Sequence, residues 1–356
     1  MAGVADAYLD QTLAERYRLI SHLADGGFSH VFKSSDQRSG ALVAVKVLKP
    51  DAAVHPESAV EFDHEGELLE AMGKSRNVVG LLDSGSSTIT VTVNETPLPM
   101  LVSFHVMEMA DAALIELLPL RHEVDWSDKL RLFRDVVAGV HQMHIKRVVH
   151  RDLKTSNVLL FNTETRRPIA KVSDLGRSRD LARPPRFDED VYAAGRGDRS
   201  HAPPEHLWFL GNTDEAALRR ADVYMLGSVL YEIATGQSIT SMTLPYWGFQ
   251  IRAVRNKSLQ DREVGFRAAA RHMAEVHEAA LGFLADETPL EIRHLVVDLV
   301  RQMCNPLPGR RERRFRAERN TAAWGLEWAI RRVDIIIKNL EHNRAVNAAA
   351  IRRQRA

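Results

Sequence analysis

His150-Arg151-Asp152-Leu153-Lys154-Thr155-Ser156-Asn157, followed downstream by Asp174-Leu175-Gly176, is the stretch whose reading decides the fold of this chain. It sets a carboxylate, an ammonium and two more oxygen-bearing side chains, Asn157 and Asp174, in two short polar loops. Hard oxygens of that kind suit magnesium, and a carboxylate beside a cation suits a reaction in which charge builds while a proton leaves. A His-Arg-Asp triplet alone carries little. Lys154, Asn157 and Asp174 in register with it make the pattern specific.

The pattern resembles the catalytic loop and magnesium loop of the protein kinases, and in particular the eukaryotic-like (Hanks-type) Ser/Thr protein kinases. The resemblance implies an α+β, bilobal protein-kinase fold: a small β-rich N-lobe with one main helix and a larger helical C-lobe. It implies that Asp152 orients an acceptor hydroxyl and takes its proton, that Lys154 sits near the transferring phosphate, and that Asn157 and Asp174 hold Mg2+, with ATP as donor. Phosphoryl transfer passes through a loose, highly charged transition state, so such residues act by positioning and by neutralising charge. Leu175 stands where Phe is commoner and keeps an apolar side chain there.

Upstream, Leu23-Ala24-Asp25-Gly26-Gly27-Phe28-Ser29-His30-Val31 precedes Val43-Ala44-Val45-Lys46. Glycines let backbone amides approach phosphate oxygens, and apolar residues alternating around Lys46 read as a strand that holds its amine still. By resemblance Gly26 and Gly27 belong to the nucleotide loop and Lys46 contacts the phosphates. Ala24 and Ser29 stand where the family's first and third glycines are usual. The stretch 58–72 is helical by pattern, with Phe62, Leu69 and Met72 on one stripe. Glu65 projects from it and is, by resemblance, the ion-pair partner of Lys46; Glu61, Asp63 and Glu67 lack the same spacing from Phe62 and Leu69.

Val102 to Ala110 reads as a strand entering a hinge. The resemblance places adenine against the backbone of Glu108 and Ala110, with Met107 as gatekeeper and Leu23, Val31, Ala44, Met107 and Leu159 sandwiching the ring, as apolar pockets with a few fixed polar groups do. Further on, Ala202-Pro203-Pro204-Glu205 resembles the end of an activation segment. Asp222 is expected to anchor the catalytic loop, and Arg311 to pair with Glu205. Lys154 favours Ser/Thr acceptors, whereas Asp198 occupies the place of a Thr usual in that group. Asp188-Glu189-Asp190 is expected to offer Arg151 a permanent anion.

The chain has 356 residues, 45% of them hydrophobic, enough for two cores, and a net charge of +1 that gives no general attraction to nucleic acid or anionic membrane. Its single cysteine, Cys304, cannot form an internal disulfide and reads as a small buried hydrophobe in a reducing compartment. No signal peptide opens the chain and no apolar run is long enough to span a membrane, so a cytoplasmic enzyme without membrane contact is expected.

The expected organisation is an N-terminal extension (1–15), a kinase domain (16–311, with lobes 16–106 and 111–311) and a basic amphipathic helical extension (312–356). From Arg310 onward there are thirteen Lys and Arg against five Asp and Glu. Leu326, Ile330, Val333, Ile337 and Leu340 form an apolar stripe that calls for cover, from a partner helix, from self-association or from the chain itself. Thr88 to Val93 alternates as an extended hairpin arm, and 262–284 reads as a helix along Val264, Ala268, Met273, Val276, Ala280 and Leu284, either a docking element or plain packing. The functional expectation is ATP- and Mg2+-dependent phosphorylation of protein substrates, the chain itself included. The alternative is a pseudokinase that binds nucleotide and acts as a scaffold.

Overall fold

Alternating apolar residues ahead of Glu108 build a six-stranded antiparallel sheet in a computed structural model of the chain, which describes residues 4–355 except 54, 94–95, 163–166, 187, 189–191, 194, 196 and 312–324. Its strands are β1 (Thr12–Leu13), β2 (Tyr17–Asp25), β3 (Ser29–Asp36), β4 (Leu42–Leu48), β5 (Leu81–Val93) and β6 (Thr96–Glu108), in the order β1-β2-β3-β4-β6-β5. Val43, Val45 and Val47 bury with Leu19, Phe32, Phe104 and Val106 on one face. Strand alternation therefore turns Ala44 and Lys46 to the other.

Helix α1 (Pro56–Met72) follows, with proline at its start, where a missing N–H costs nothing, and Phe62, Leu69 and Met72 buried. Strands β5 and β6 pair along their whole length as the long hairpin; its turn, 94–95, lies outside the described residues. Within the stretch set apart in the sequence as an extension (1–15), Ala5, Tyr8 and Leu13 belong to the sheet's core. The compact unit comprises Met1–Asp111 together with Ser173–Gly176.

The second unit, Ala112–Val172 with Arg177–Ala356, is mainly helical. It contains β7 (Ala112–Ala113), α2 (Trp126–Ile145), β8 (Val148–Val149), β9 (Val158–Phe161), β10 (Ile169–Val172) and β11 (Arg179–Asp180), then α3 (Glu215–Thr235), α4 (Ile239–Val254), α5 (Leu259–Glu287), α6 (Arg293–Met303) and α7 (Glu327–Arg355). Helix α3 is buried almost all round, the mark of a central helix. Asp214 caps its first turn, and Gly236 closes it at φ 84°, the left-handed conformation glycine adopts without strain. Cys304 is buried against α3, and burial pushes its thiol pKa up, as expected of an inert core residue.

One sequence expectation is corrected here and another is narrowed. In α5 the packing stripe is Phe266, Ala269, Met273, Ala280, Leu281 and Leu284, whereas Val264 and Ala268 are exposed, because the face that clusters with Trp208 and Trp247 is the one carrying Phe266, Ala269 and Met273. In α7, of the three covers left open by the sequence (a partner helix, self-association or the chain itself), the stripe packs against the chain's own α2. Leu326, Val333, Ile337 and Leu340 are buried and Ile330 is half-buried. Around them Arg134 pairs with Asp334 at 2.5 Å, Arg131 with Glu341, and Arg344 with Asp125 at 2.6 Å. The Arg344 guanidinium holds the Asp125 carboxyl well below the usual carboxylate range.

Cover by α2 predicts that Leu340→Ala, at a fully buried position, lowers stability by about 2–5 kcal/mol in denaturant unfolding. Ile335→Ala on the exposed face of α7 should stay within about 0.5 kcal/mol. Equal effects of the two would mean that the stripe is not packed.

Candidate active site

The site residues read from the sequence fall on both units. In the small unit, Lys46 Nζ lies 2.6 Å from Glu65 Oε2 and 2.9 Å from Asp174 Oδ1. Burial alone would lower the Lys46 pKa, but the Asp174 and Glu65 carboxylates more than reverse this and hold it above the ordinary value. Glu65 is pushed upward by burial and by the Asp174 charge, against the pull of Lys46. The Leu175 backbone also hydrogen-bonds Glu65. Asp174 holds a left-handed φ of 58°, a conformation that costs a non-glycine residue energy and marks a constrained position.

Two residues not singled out in the sequence fix Glu65. The His105 ring, on β6, stacks on Phe62 with centroids 4.2 Å apart and hydrogen-bonds the Phe62 carbonyl oxygen through Nε2 at 2.8 Å. Gly66, beside Glu65, gives that ring its space: a Cβ at position 66 would come within 2.5 Å of it. A glycine inside a helix is unfavourable by propensity, which is the sequence signal that could have flagged it.

In the nucleotide loop, the Gly26 N–H donates to the Ser29 carbonyl at 2.8 Å, and a Cβ on Gly26 would lie 2.9 Å from Ser29 Oγ, so a larger residue there would have to move that hydroxyl. Gly27 meets no such constraint. Leu23 is exposed, Val31 and Met107 are half-buried and Ala44 is buried. The Glu108 N–H is engaged with the Gly80 carbonyl at 3.2 Å, and its side chain accepts from Gly80 N. Ala110 is half-buried just beyond β6. Leu159 belongs to the large unit, on β9, opposite Ala113.

The large unit carries Asp152, Lys154 and Asn157. Asp222 on α3 is fully buried and accepts from His144 Nε2 and the backbone N–H groups of His150 and Arg151, each at 2.8 Å. Burial alone would raise the Asp222 carboxyl, and these donors overcome it and hold it below the ordinary value. Arg151 takes φ 70°, a second left-handed non-glycine residue. Asn157 Nδ2 donates to the Asp152 carbonyl at 2.8 Å and to Asp152 Oδ2 at 3.4 Å, so the amide presents its oxygen, Oδ1, elsewhere. That oxygen, like the carboxylate oxygens of Asp174 in the small unit, is a hard donor of the class that magnesium takes.

Lys154 Nζ lies 3.7 Å from Asp152 Oδ2 and 3.3 Å from Asp198 Oδ2, and the Asp198 N–H donates to Asp152 Oδ1 at 2.6 Å. Burial pulls the Asp198 carboxyl up, but the Ser200 hydroxyl and N–H, with Lys154 and His201, outweigh it and hold its pKa at about 2. Gly197 allows this approach, since a Cβ there would overlap the Arg151 carbonyl oxygen. Glu205 and Arg311 form a buried two-bond ion pair at 2.6 and 2.7 Å. Of the acids offered to Arg151, Asp188 is exposed and Glu189 and Asp190 lie outside the described residues. Among the described contacts, Arg151 stacks 4.5 Å over the Tyr192 ring and donates to the Arg177 carbonyl.

Residues 17–312 match the protein kinase domain family. The chain belongs to the protein kinase family. Within it the chain is similar to the Hanks-type Ser/Thr kinases. It is 30% identical over 226 residues to the serine/threonine-protein kinase PknB of Mycobacterium leprae, covering 63% of this chain and 33% of that protein. It is 31% identical over 228 residues to PknB of Mycolicibacterium smegmatis, covering 64% and 33%. Serine/threonine-protein kinase A of Synechocystis is 27% identical over 235 residues, covering 63% and 41%. The chain thus spans about a third of the length of the PknB relatives.

Gly66→Ala should destabilise the kinase by about 1–3 kcal/mol, although alanine is the better helix former, because the added carbon drives into the His105 ring. His105→Ala in the same chain should recover part of that loss. Denaturant midpoints decide it, and a stabilised single variant would contradict the packing account.

For Glu205, burial raises the carboxyl and the Arg311 charge more than reverses it, so its folded pKa is lowered. Its stability contribution is therefore complete above the unfolded carboxylate pKa of about 4.3, and is lost as pH falls through the lower folded value. Glu205→Gln leaves Arg311 buried without its counter-charge and should cost about 3–5 kcal/mol at pH 7. Measured unfolding free energies should converge for the two proteins as pH falls below the folded value.

Proposed function

We propose that this protein is an ATP- and Mg2+-dependent kinase that transfers the γ-phosphate to Ser/Thr hydroxyls of protein substrates, itself included. The observation that carries this reading is the Lys46 ion pair with Glu65 and Asp174, since a kinase lysine contacts phosphates productively only with that glutamate in place. Lys46 neutralises donor phosphates. Gly26 and Gly27 bring backbone close to them, Leu23, Val31, Ala44, Met107 and Leu159 flank adenine, and Glu108 and Ala110 meet its edge through backbone. Asn157 and Asp174 would hold Mg2+, which would supply positive charge to neutralise the donor phosphates.

Asp152 accepts the hydroxyl proton as the acceptor oxygen attacks, and its Oδ1 is oriented by the Asp198 N–H. Lys154 stays protonated beside Asp152 and Asp198 and offsets the charge that builds on the transferred group. Asp198 supplies the Lys154 contact that the family's usual Thr supplies, which supports a Ser/Thr acceptor. Nothing observed favours a scaffold without transfer activity. Among the described residues no helix is long and apolar enough to cross a membrane. We place the enzyme in the cytoplasm, consistent with its single buried thiol.

Labelled ATP with Mg2+ tests the reading. Asp152→Asn, Lys46→Ala and Asp174→Asn should each lower transfer to a protein substrate at least about a hundredfold, as loss of ~3 kcal/mol of transition-state stabilisation does, while the protein stays folded. Asp198→Thr should retain Ser/Thr transfer and Asp198→Ala should lose about 10–100-fold, the cost of a charged hydrogen bond. Near wild-type transfer by Asp152→Asn would refute the assignment.

A further inference from the structure

We propose that His22, Asp25 and His30 form a binding site for a divalent metal ion of the zinc class, carried on the β2–β3 hairpin beside the Gly26-Gly27 turn. In a regular strand, residues 22 and 25 would point to opposite faces. The β2–β3 register shifts between His22 and Ala24, and this irregularity brings the two side chains to one face, the usual way in which a bulge re-aims a residue. Asp25 is paired directly with His30 across the hairpin. The ligand atoms of all three then lie within 4.8 Å of one another.

His30 Nδ1 is 2.5 Å from Asp25 Oδ1, and His22 Nε2 is 3.6 Å from the same oxygen. Zinc bonds of about 2.0–2.1 Å in a tetrahedron set neighbouring donors about 3.3 Å apart, between these two distances, so small side-chain rotations suffice. The rings are held in place: His22 against Phe32 at 5.5 Å, His30 against Tyr8 at 5.5 Å, and the two imidazoles edge-on at 5.7 Å. His22 Nε2 is buried and makes no hydrogen bond among the described residues, the kind of orphaned polar atom that a ligand accounts for. Two imidazoles and one carboxylate leave a fourth position for water.

A cation already sits nearby. Lys49 Nζ is 3.4 Å from Asp25 Oδ1 and donates to the Gly26 carbonyl at 2.8 Å. A dication displaces it from the carboxylate while the bond to Gly26 remains. His30 then presents the Nδ1 lone pair with its proton on Nε2. The proposal does not rest on the transfer reaction, in which none of the three residues has an assigned part.

The test is Zn2+ titration of the full chain, followed by calorimetry and by competition with a chromophoric chelator. One equivalent should bind, and His22→Ala or His30→Ala should each weaken that binding by more than about 100-fold, beyond the 10–100-fold that outer partners of metal ligands cost. Asp25→Asn, at a half-exposed position, should weaken it with no change in circular dichroism, which keeps the test valid if a histidine variant misfolds. Lys49→Met should tighten it by removing the competing charge. Absence of stoichiometric binding, or binding unchanged in these variants and so carried by other histidines among the chain's fifteen, would overturn the proposal.

Discussion

The large unit depends on a buried charge. Asp222 sits on a central helix with no access to water, where an unsatisfied carboxylate would cost several kcal/mol, and it can exist there only because three donors converge on it. Two of those donors are consecutive backbone amides, of His150 and Arg151, so satisfying the charge fixes the loop's backbone rather than a flexible side chain. The third, His144, belongs to α2. One carboxylate thus ties a helix and the loop to α3, and Arg151 is held at a left-handed φ that it would not keep unaided. Asp152, the next residue, inherits its position from that clamp.

The small unit solves a related problem in the opposite order. Lys46 leaves the strand on the face away from the valine core, and the sheet alone would give its ammonium nothing to meet. Glu65 supplies the counter-charge only while α1 is held in place, and that placement comes from Phe62 stacked on His105 with Gly66 leaving room for the ring. The energetic cost of a glycine in mid-helix, about 1 kcal/mol against alanine, is offset by close approach of helix and sheet. Packing of uncharged groups therefore decides whether the charges meet.

Legibility in the sequence followed the locality of each constraint. Asp152, Asn157, Asp174 and Lys46 stand in short motifs whose chemistry is readable because each motif is contiguous, and Glu65 stands out through the family's spacing from Phe62 and Leu69, which the resemblance supplies. His105, His144 and Gly197 carry no such mark, because each acts on residues remote in the chain and looks ordinary in its own segment. The apolar stripe of α7 announced that something must cover it, yet amphipathic spacing says nothing about what does. The pairs of Arg131 with Glu341 and of Arg134 with Asp334, reaching from α2, help identify the cover. Val264 and Ala268 fit helical periodicity as well as Phe266 and Ala269 do, and which face of α5 meets Trp208 and Trp247 is a tertiary fact.

The stretch around Tyr192 shows how the same locality limits arguments about switching. In kinases with an arginine before the catalytic aspartate, a phosphate on the activation segment pairs with that arginine and orders the segment. Here the buried Tyr192 ring lies between two guanidiniums, 4.5 Å from Arg151 and 5.3 Å from Arg179, and Arg151 also reaches the Arg177 carbonyl. A ring face attracts each cation by about 0.5–2 kcal/mol, less than a phosphate dianion, but it is present in every molecule regardless of any modifying enzyme. It also brings apolar area that a phosphate lacks, so the segment gains burial at the point where it meets the arginine. At Tyr192 the segment therefore meets the arginines through packing as well as through charge.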